Sequence, residues 1–271
     1  MARDDTFSRK VNIFKDANRV NPDPKGTQNL NSEIATEKKL MAELLGTAFL
    51  LAAVVGSGIM GEKFSSGNVA LALLANTLAT GAALVALILA FGPISGAHFN
   101  PAVTLADAAQ GGLAWRLVPG YIAAQCTGAI LGVYAAHLMF AQPMIQVSTH
   151  VRSGPAQLFS EFVASFGLLA VIWGCSRGRP FAVPFAVGAY ITAAYWFTAS
   201  TSFANPAVTL ARSFTNTFAG IRPADAPGFI VMQLLGALSA TALFRWLAAK
   251  SPETLPHSYP QPQQKAEVPY S

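Results

Sequence analysis

The chain has 271 residues, 52% of them hydrophobic and only 11% charged, less than half the roughly 25% charged residues of a soluble domain. A soluble fold is excluded by that balance. No Asp, Glu, Lys or Arg occurs at 44–61, 64–106, 117–151, 162–176, 180–211 or 226–244, and these stretches approach or exceed the ~20 residues that cross a bilayer. The net charge of +5 is a matter of where the basic residues stand, and their places argue against a nucleic-acid partner.

In chain order, residues 1–38 are polar, carry Asn21-Pro22-Asp23-Pro24 and lack the apolar core of a signal peptide. They predict a disordered cytoplasmic tail. A long apolar region follows at 39–250, and the Pro- and Gln-rich 251–271 predicts a second cytoplasmic tail. Charge-poor stretches bounded by loops predict helices near 40–60, 68–91, 117–140, 157–175, 181–199 and 227–248. Residues 162–176 are short, but the uncharged 153–160 lets that span begin before Glu161. With six spans, 14 of the 18 Lys and Arg residues fall on one side and four on the other, which places both termini in the cytoplasm. Cys126 and Cys175 lie in or beside apolar segments and read as packed thiols. No metal site and no cofactor are expected.

The apolar region repeats. Asn100-Pro101-Ala102-Val103-Thr104-Leu105-Ala106 recurs as Asn205-Pro206-Ala207-Val208-Thr209-Leu210-Ala211, 105 positions later. Tyr121-Ile122-x-x-Gln125-x-x-Gly128-Ala129 is echoed by Phe229-Ile230-x-x-Gln233-x-x-Gly236-Ala237, and Glu43 in the first span by Glu161 in the fourth. Two halves of three spans each, about 39–140 and 155–250, must enter the membrane from opposite sides, which makes the repeat inverted. The duplicated segment follows the second span of each half, in a charge-free stretch too long for one crossing, so the surplus is expected to enter the membrane and return.

Pro101 and Pro206 fit the first position of a helix, where no N–H is needed, and Asn100 and Asn205 then become caps. Two half-helices would meet near the midplane with their positive ends facing. Irregular backbone at that depth must be buried in protein or line a water-filled cavity. Gly96, Ala97, His98 and Phe99 in one half, with Ser202, Phe203 and Ala204 in the other, are expected to offer unpaired carbonyls there. A small polar solute could exchange its hydration for those carbonyls and the two Asn amides, while the facing dipoles oppose cations and protons.

Ser95-Gly96-Ala97-His98-Phe99-Asn100-Pro101-Ala102-Val103-Thr104, the second Asn-Pro-Ala, the paired glutamates and the Tyr-x-x-x-Gln-x-x-Gly-Ala helix resemble the aquaporin, or major intrinsic protein, family over about 40–250. That resemblance implies an all-α membrane protein, a right-handed bundle of six transmembrane helices with two re-entrant half-helices. It further implies a homotetramer in the lipid bilayer, with one pore per subunit for small neutral solutes. It gives Asn100 and Asn205 the role of orienting solute, and Glu43 and Glu161 that of bracing the re-entrant loops. Proton coupling is the other reading of two intramembrane acids. His98 reads as a packed residue more readily than as a gate or metal ligand. Gln125 and Gln233 should bond within the bundle, and Gly46, Gly56, Gly128 and Gly236 should mark close helix approaches.

One departure from the family bears on selectivity. Most members follow the second Asn-Pro-Ala with an arginine that lines the outer constriction, and here Val208 stands in its place. Counting from the motifs puts the other filter positions at Thr80 and Ser202. The fourth falls on Tyr195 when aligned on Gly188, or on Ala193 when counted back from Asn205, and Tyr195 is favoured. A Thr, Tyr, Ser, Val filter is uncharged and wider, and it resembles that of a bacterial, inner-membrane subgroup permeable to arsenite. The expected solutes are water, glycerol-like polyols and trivalent metalloid acids. Arg212, four residues beyond Val208, is either a charge at the pore mouth or an interfacial side chain. A water-selective channel, an ion-coupled transporter and a membrane enzyme are the competing readings. The last lacks any nucleophile motif, metal cluster or phosphate loop.

Overall fold

The computed structural model describes residues 34–248. Its helices are α1 (Thr36–Phe64), α2 (Val69–Ser95), α3 (Pro101–Gln110), α4 (Val118–Met139), α5 (Pro155–Ser176), α6 (Val183–Phe197), α7 (Pro206–Arg212) and α8 (Ala226–Leu247). Six of these, counting the 3₁₀ turns at Trp115–Leu117 and Pro180–Ala182 with the helices they lead into, are long and apolar enough to cross a bilayer. The remaining two, α3 and α7, are the short helices expected after each Asn-Pro-Ala. Large apolar side chains such as Phe49, Leu78, Leu89, Phe159, Trp196 and Leu238 are exposed on the outside of the bundle, as a lipid-facing surface requires.

The first helix is longer at both ends than the charge-free stretch predicts. It takes in Glu37, Lys38 and Lys39 at one end and Glu62 and Lys63 at the other, because long charged side chains at a span's ends can reach the aqueous boundary while their stems stay apolar. Residues 36–38, expected in the tail, are therefore helical. The rest of the amino-terminal tail up to residue 33, and all of 251–271, lie outside the described residues.

Two interhelical approaches follow from the duplicated Gly-Ala pair. α1 packs on α4, and α5 on α8. A Cβ on Gly128 would run into the backbone carbonyl of Leu44 on α1, and one on Gly236 into that of Phe162 on α5. Only a residue without a Cβ allows backbones this close. A Cβ on Gly46 would strike the Phe99 ring, so a glycine on the first helix makes room for the first re-entrant segment.

Candidate functional site: a channel through the bundle

Each half-helix starts as its sequence dictates. Asn100 and Asn205 have extended backbone and cap α3 and α7, with Pro101 and Pro206 in the first helical turn. The Asn100 Oδ1 accepts from the Ala102 N–H at 2.9 Å, and the Asn205 Oδ1 from those of Ala207 at 3.0 Å and Val208 at 3.3 Å. Capping uses only the oxygen of each amide. The Asn100 Nδ2 donates to the Ala204 carbonyl at 2.8 Å, and the Asn205 Nδ2 donates to the Phe99 carbonyl at 2.7 Å. An amide nitrogen has two hydrogens, so each Asn keeps one donor for the lumen.

This reciprocal clasp changes one expectation. The carbonyls of Phe99 and Ala204 are not unpaired, because each already accepts from the Asn of the other half. Carbonyls of Gly96, Ala97, His98, Ser202 and Phe203 have no such partner in the clasp. Sequence alone could not show this, since the two atoms of each pair come from residues more than a hundred positions apart.

The approach to each cap is backbone that side chains disfavour. Ala97 and Phe99 in the first segment, and Ser202 and Ala204 in the second, have φ of 47–50°, a left-handed conformation costing roughly 1–2 kcal/mol per non-glycine residue. Buried carboxylates hold them there. Glu43 accepts from the N–H groups of His98 at 3.0 Å and Phe99 at 2.7 Å, from the Ser95 hydroxyl at 2.6 Å, and from the Gln125 Nε2 at 2.8 Å. Glu161 accepts from the N–H groups of Phe203 and Ala204, both at 2.9 Å, and from the Gln233 Nε2 at 2.6 Å. Bonds of this charge-assisted kind contribute about 1.5–3 kcal/mol each, enough to offset the strain. Gln125 and Gln233 also donate to the hydroxyls of Thr104 and Thr209, both at 2.8 Å. Those threonines and Ser95 belong to the bracing. The repeat was the signal that could have found them, since Thr104 and Thr209 are duplicated within it.

A single cavity of ≈ 390 Å³ runs past both asparagines. At one end it is bordered by Lys39, Asp107, Gly112 and His98, and at the other by Ser202, Phe203, Val208 and Arg212, with Ile88, Ile172, Val187 and Ile191 along its walls. Thr80 and Tyr195 line it together, their hydroxyls 3.4 Å apart. Ala193, the other candidate for the fourth filter position, is exposed on the outside of the bundle. The Ser202 hydroxyl is buried with no protein partner among the described residues. His98 lines the cavity with its side chain, its Nδ1 3.1 Å from the Thr104 hydroxyl and its Nε2 3.5 Å from an Asp107 oxygen. Arg212 is buried and lines the cavity instead of facing lipid headgroups. Its Nε donates to the Ala219 carbonyl, and its guanidinium carbon stands 3.4 Å from the centre of the Phe203 ring.

The segment 141–154 is bonded to the chain around Arg212 and the start of α8. The Ser148 N–H donates to the Ser213 carbonyl at 3.0 Å, the Thr149 N–H to Asn216 at 2.9 Å, and the Arg222 N–H to the His150 carbonyl at 2.7 Å. Arg152 donates from Nε to the Gly220 carbonyl at 2.9 Å, and burial lowers its guanidinium from the usual value. The sequence assigned no role to Arg152 or Asp107 and gave Phe203 only a carbonyl. Counting by the repeat offset would have paired His98 with Phe203 and Asp107 with Arg212.

A bundle of membrane-crossing helices with two half-helices meeting head to head around a continuous lumen is a membrane channel. The profile of the Major intrinsic protein family matches residues 31–194 and again 177–266, and the chain belongs to that family. Aquaglyceroporin AqpS of Rhizobium meliloti (strain 1021) is 57% identical over 232 residues, spanning 83% of this chain and 99% of the relative. Aquaporin NIP6-1 of Arabidopsis thaliana is 35% identical over 140 residues, 51% of this chain and 45% of the relative. Among solved structures, the aquaglyceroporin from Plasmodium falciparum shares the fold with a TM-score of 0.61 at 23% identity, covering 78% of this chain and 96% of the other.

Proposed function

We propose that the chain is a passive channel for water and small uncharged hydroxylated solutes, from glycerol-like polyols to trivalent metalloid acids such as arsenite. The observation that carries this reading is the lining beyond the asparagines: the hydroxyls of Thr80 and Tyr195, together with Ser202 and the apolar Val208. A polyol presents hydroxyls on one side and carbon on the other, and such a lining meets both. An arginine at 208 would narrow the passage and add donors that favour water. Asn100 and Asn205 each offer one N–H to solute at the centre, and the carbonyls of Gly96, Ala97, His98 and Phe203 accept on either side. Glu43 and Glu161 serve as braces. Their oxygens already hold four and three hydrogen bonds, which argues against a coupling-ion site.

The chain works as a homotetramer in a bacterial inner membrane with both termini cytoplasmic, a reading supported by the resemblance and by the bias of basic residues. Proteoliposomes challenged with water, glycerol and arsenite gradients test the solute class. Uptake of glycerol and arsenite well above empty vesicles, indifferent to proton and sodium gradients, is expected. Fast osmotic water flux without glycerol or arsenite uptake would establish the water-selective alternative instead.

A further inference from the structure

The family's usual position for a filter arginine is apolar here, yet a guanidinium borders the channel one turn away. Arg212 closes α7, is only 2% exposed, and lines the cavity. Four residues of helical rise set it about 6 Å beyond Val208 along α7. Of its five N–H groups, the Nε one goes to the Ala219 carbonyl, and the other four have no protein partner among the described residues.

What holds this side chain is an aromatic platform. The Phe203 ring lies beneath the guanidinium and is itself fixed by an edge contact with Phe229 of α8, ring centres 5.3 Å apart. Arg152 brings a second guanidinium to 5.1 Å from the same ring, but its Nε and one terminal nitrogen are taken by the carbonyls of Gly220 and Ser200. Among the described residues no acid forms a salt bridge with either guanidinium. Glu161 is occupied by Phe203, Ala204 and Gln233, and Asp225 by Arg222 and the Arg152 backbone N–H.

We propose that Arg212, seated on Phe203, is the cation-excluding element of this channel, so that size selection at Val208 and charge selection at Arg212 occupy two successive turns of one half-helix. The inference rests on the channel reading. The two half-helix ends at the asparagines supply about +0.5 each, so a full unit charge at the mouth roughly doubles the positive field that an entering cation meets. Neutral solutes feel no such repulsion, and their oxygens find free donors there. Phe203 is a positioning residue, and it keeps the guanidinium at the wall and out of the lumen.

The test uses the full chain in proteoliposomes, with potassium leak and glycerol swelling measured on the same vesicles. R212Q is expected to raise potassium leak roughly tenfold or more, the scale of removing one unit charge at contact range in a partly dehydrated passage. R212K, which keeps the charge, should stay close to the wild type. F203L keeps the charge and loses the platform, and should leak to an intermediate degree. R212Q vesicles that swell in glycerol but hold potassium as tightly as the wild type would overturn the proposal. If R212Q does not fold, a potassium-tight F203L overturns it. Wild-type vesicles that pass neither water nor glycerol faster than empty ones would sink the channel reading itself, a distinguishable outcome.

Discussion

The two re-entrant segments share a backbone and differ in what they show to the lumen. Each has an Asn cap, a proline at the first turn, three left-handed residues and a buried glutamate that receives its loop N–H groups. At the positions one step beyond this shared frame, the first half places His98 against Asp107, and the second places Phe203 against Arg212. Duplication preserved the atoms that hold strained backbone in place, because any loss there leaves buried N–H groups without acceptors. The residues at the two ends of the cavity differ, and Asp107 and Arg212 carry opposite charge. The channel is built symmetrically and charged asymmetrically.

The bracing glutamates offer the strongest way to break that comparison. E43Q and E161Q each turn one acceptor oxygen into a donor facing buried donors, and each should cost about 2–5 kcal/mol with loss of most solute flux. Because Glu43 carries the extra bond from Ser95, E43Q should lower the thermal unfolding temperature in detergent more than E161Q. Equal losses would show that the additional bond contributes nothing. Next in size, G128A and G236A each drive a methyl into a facing carbonyl and should destabilise by about 1–3 kcal/mol. Here the two halves should respond alike, and a large difference between them would mean that one interface relaxes.

V208R sharpens the comparison at the lumen. A guanidinium at the second half's filter should reduce glycerol swelling by about tenfold or more while water flux falls less, as a size and polarity filter demands. Unchanged glycerol flux would remove Val208 from selectivity. The smallest effect is expected at Asp225, beneath the outer loop. Desolvation raises its carboxyl, but the Arg222 side chain, the Arg152 N–H and the Arg222 charge together hold it below the usual carboxylate range. A depressed carboxyl stabilises the fold above its unfolded value and loses that contribution as the pH falls. D225N should therefore lower the unfolding temperature by no more than about 2–4 °C at neutral pH, and the difference from the wild type should vanish in acid. Arg222, its partner, is half exposed, and such pairs contribute little.

Much of this architecture is legible in the chain because membranes leave few choices. Apolar length gives spans, and Pro after Asn gives a capped helix start. A charge-free stretch too long to cross once gives a re-entrant segment. Partners drawn from distant positions are not legible in the chain. Glu43 and Ser95 could be matched only after α1 and the first re-entrant segment had packed together, and no spacing rule pairs Asn205 with the Phe99 carbonyl. Charged residues do not mark the ends of α1, which runs on through Lys38, Lys39 and Lys63.

The low charge content and the duplicated Asn-Pro-Ala by themselves determined the class of fold, the inverted repeat and the absence of charge at Val208. Those features are local and covalent, fixed by which residue stands where. Tertiary structure alone decided that the asparagines clasp each other's loops and that Arg212 turns onto Phe203. Each of these depends on rotation about a helix axis or on a contact between halves, and packing sets both.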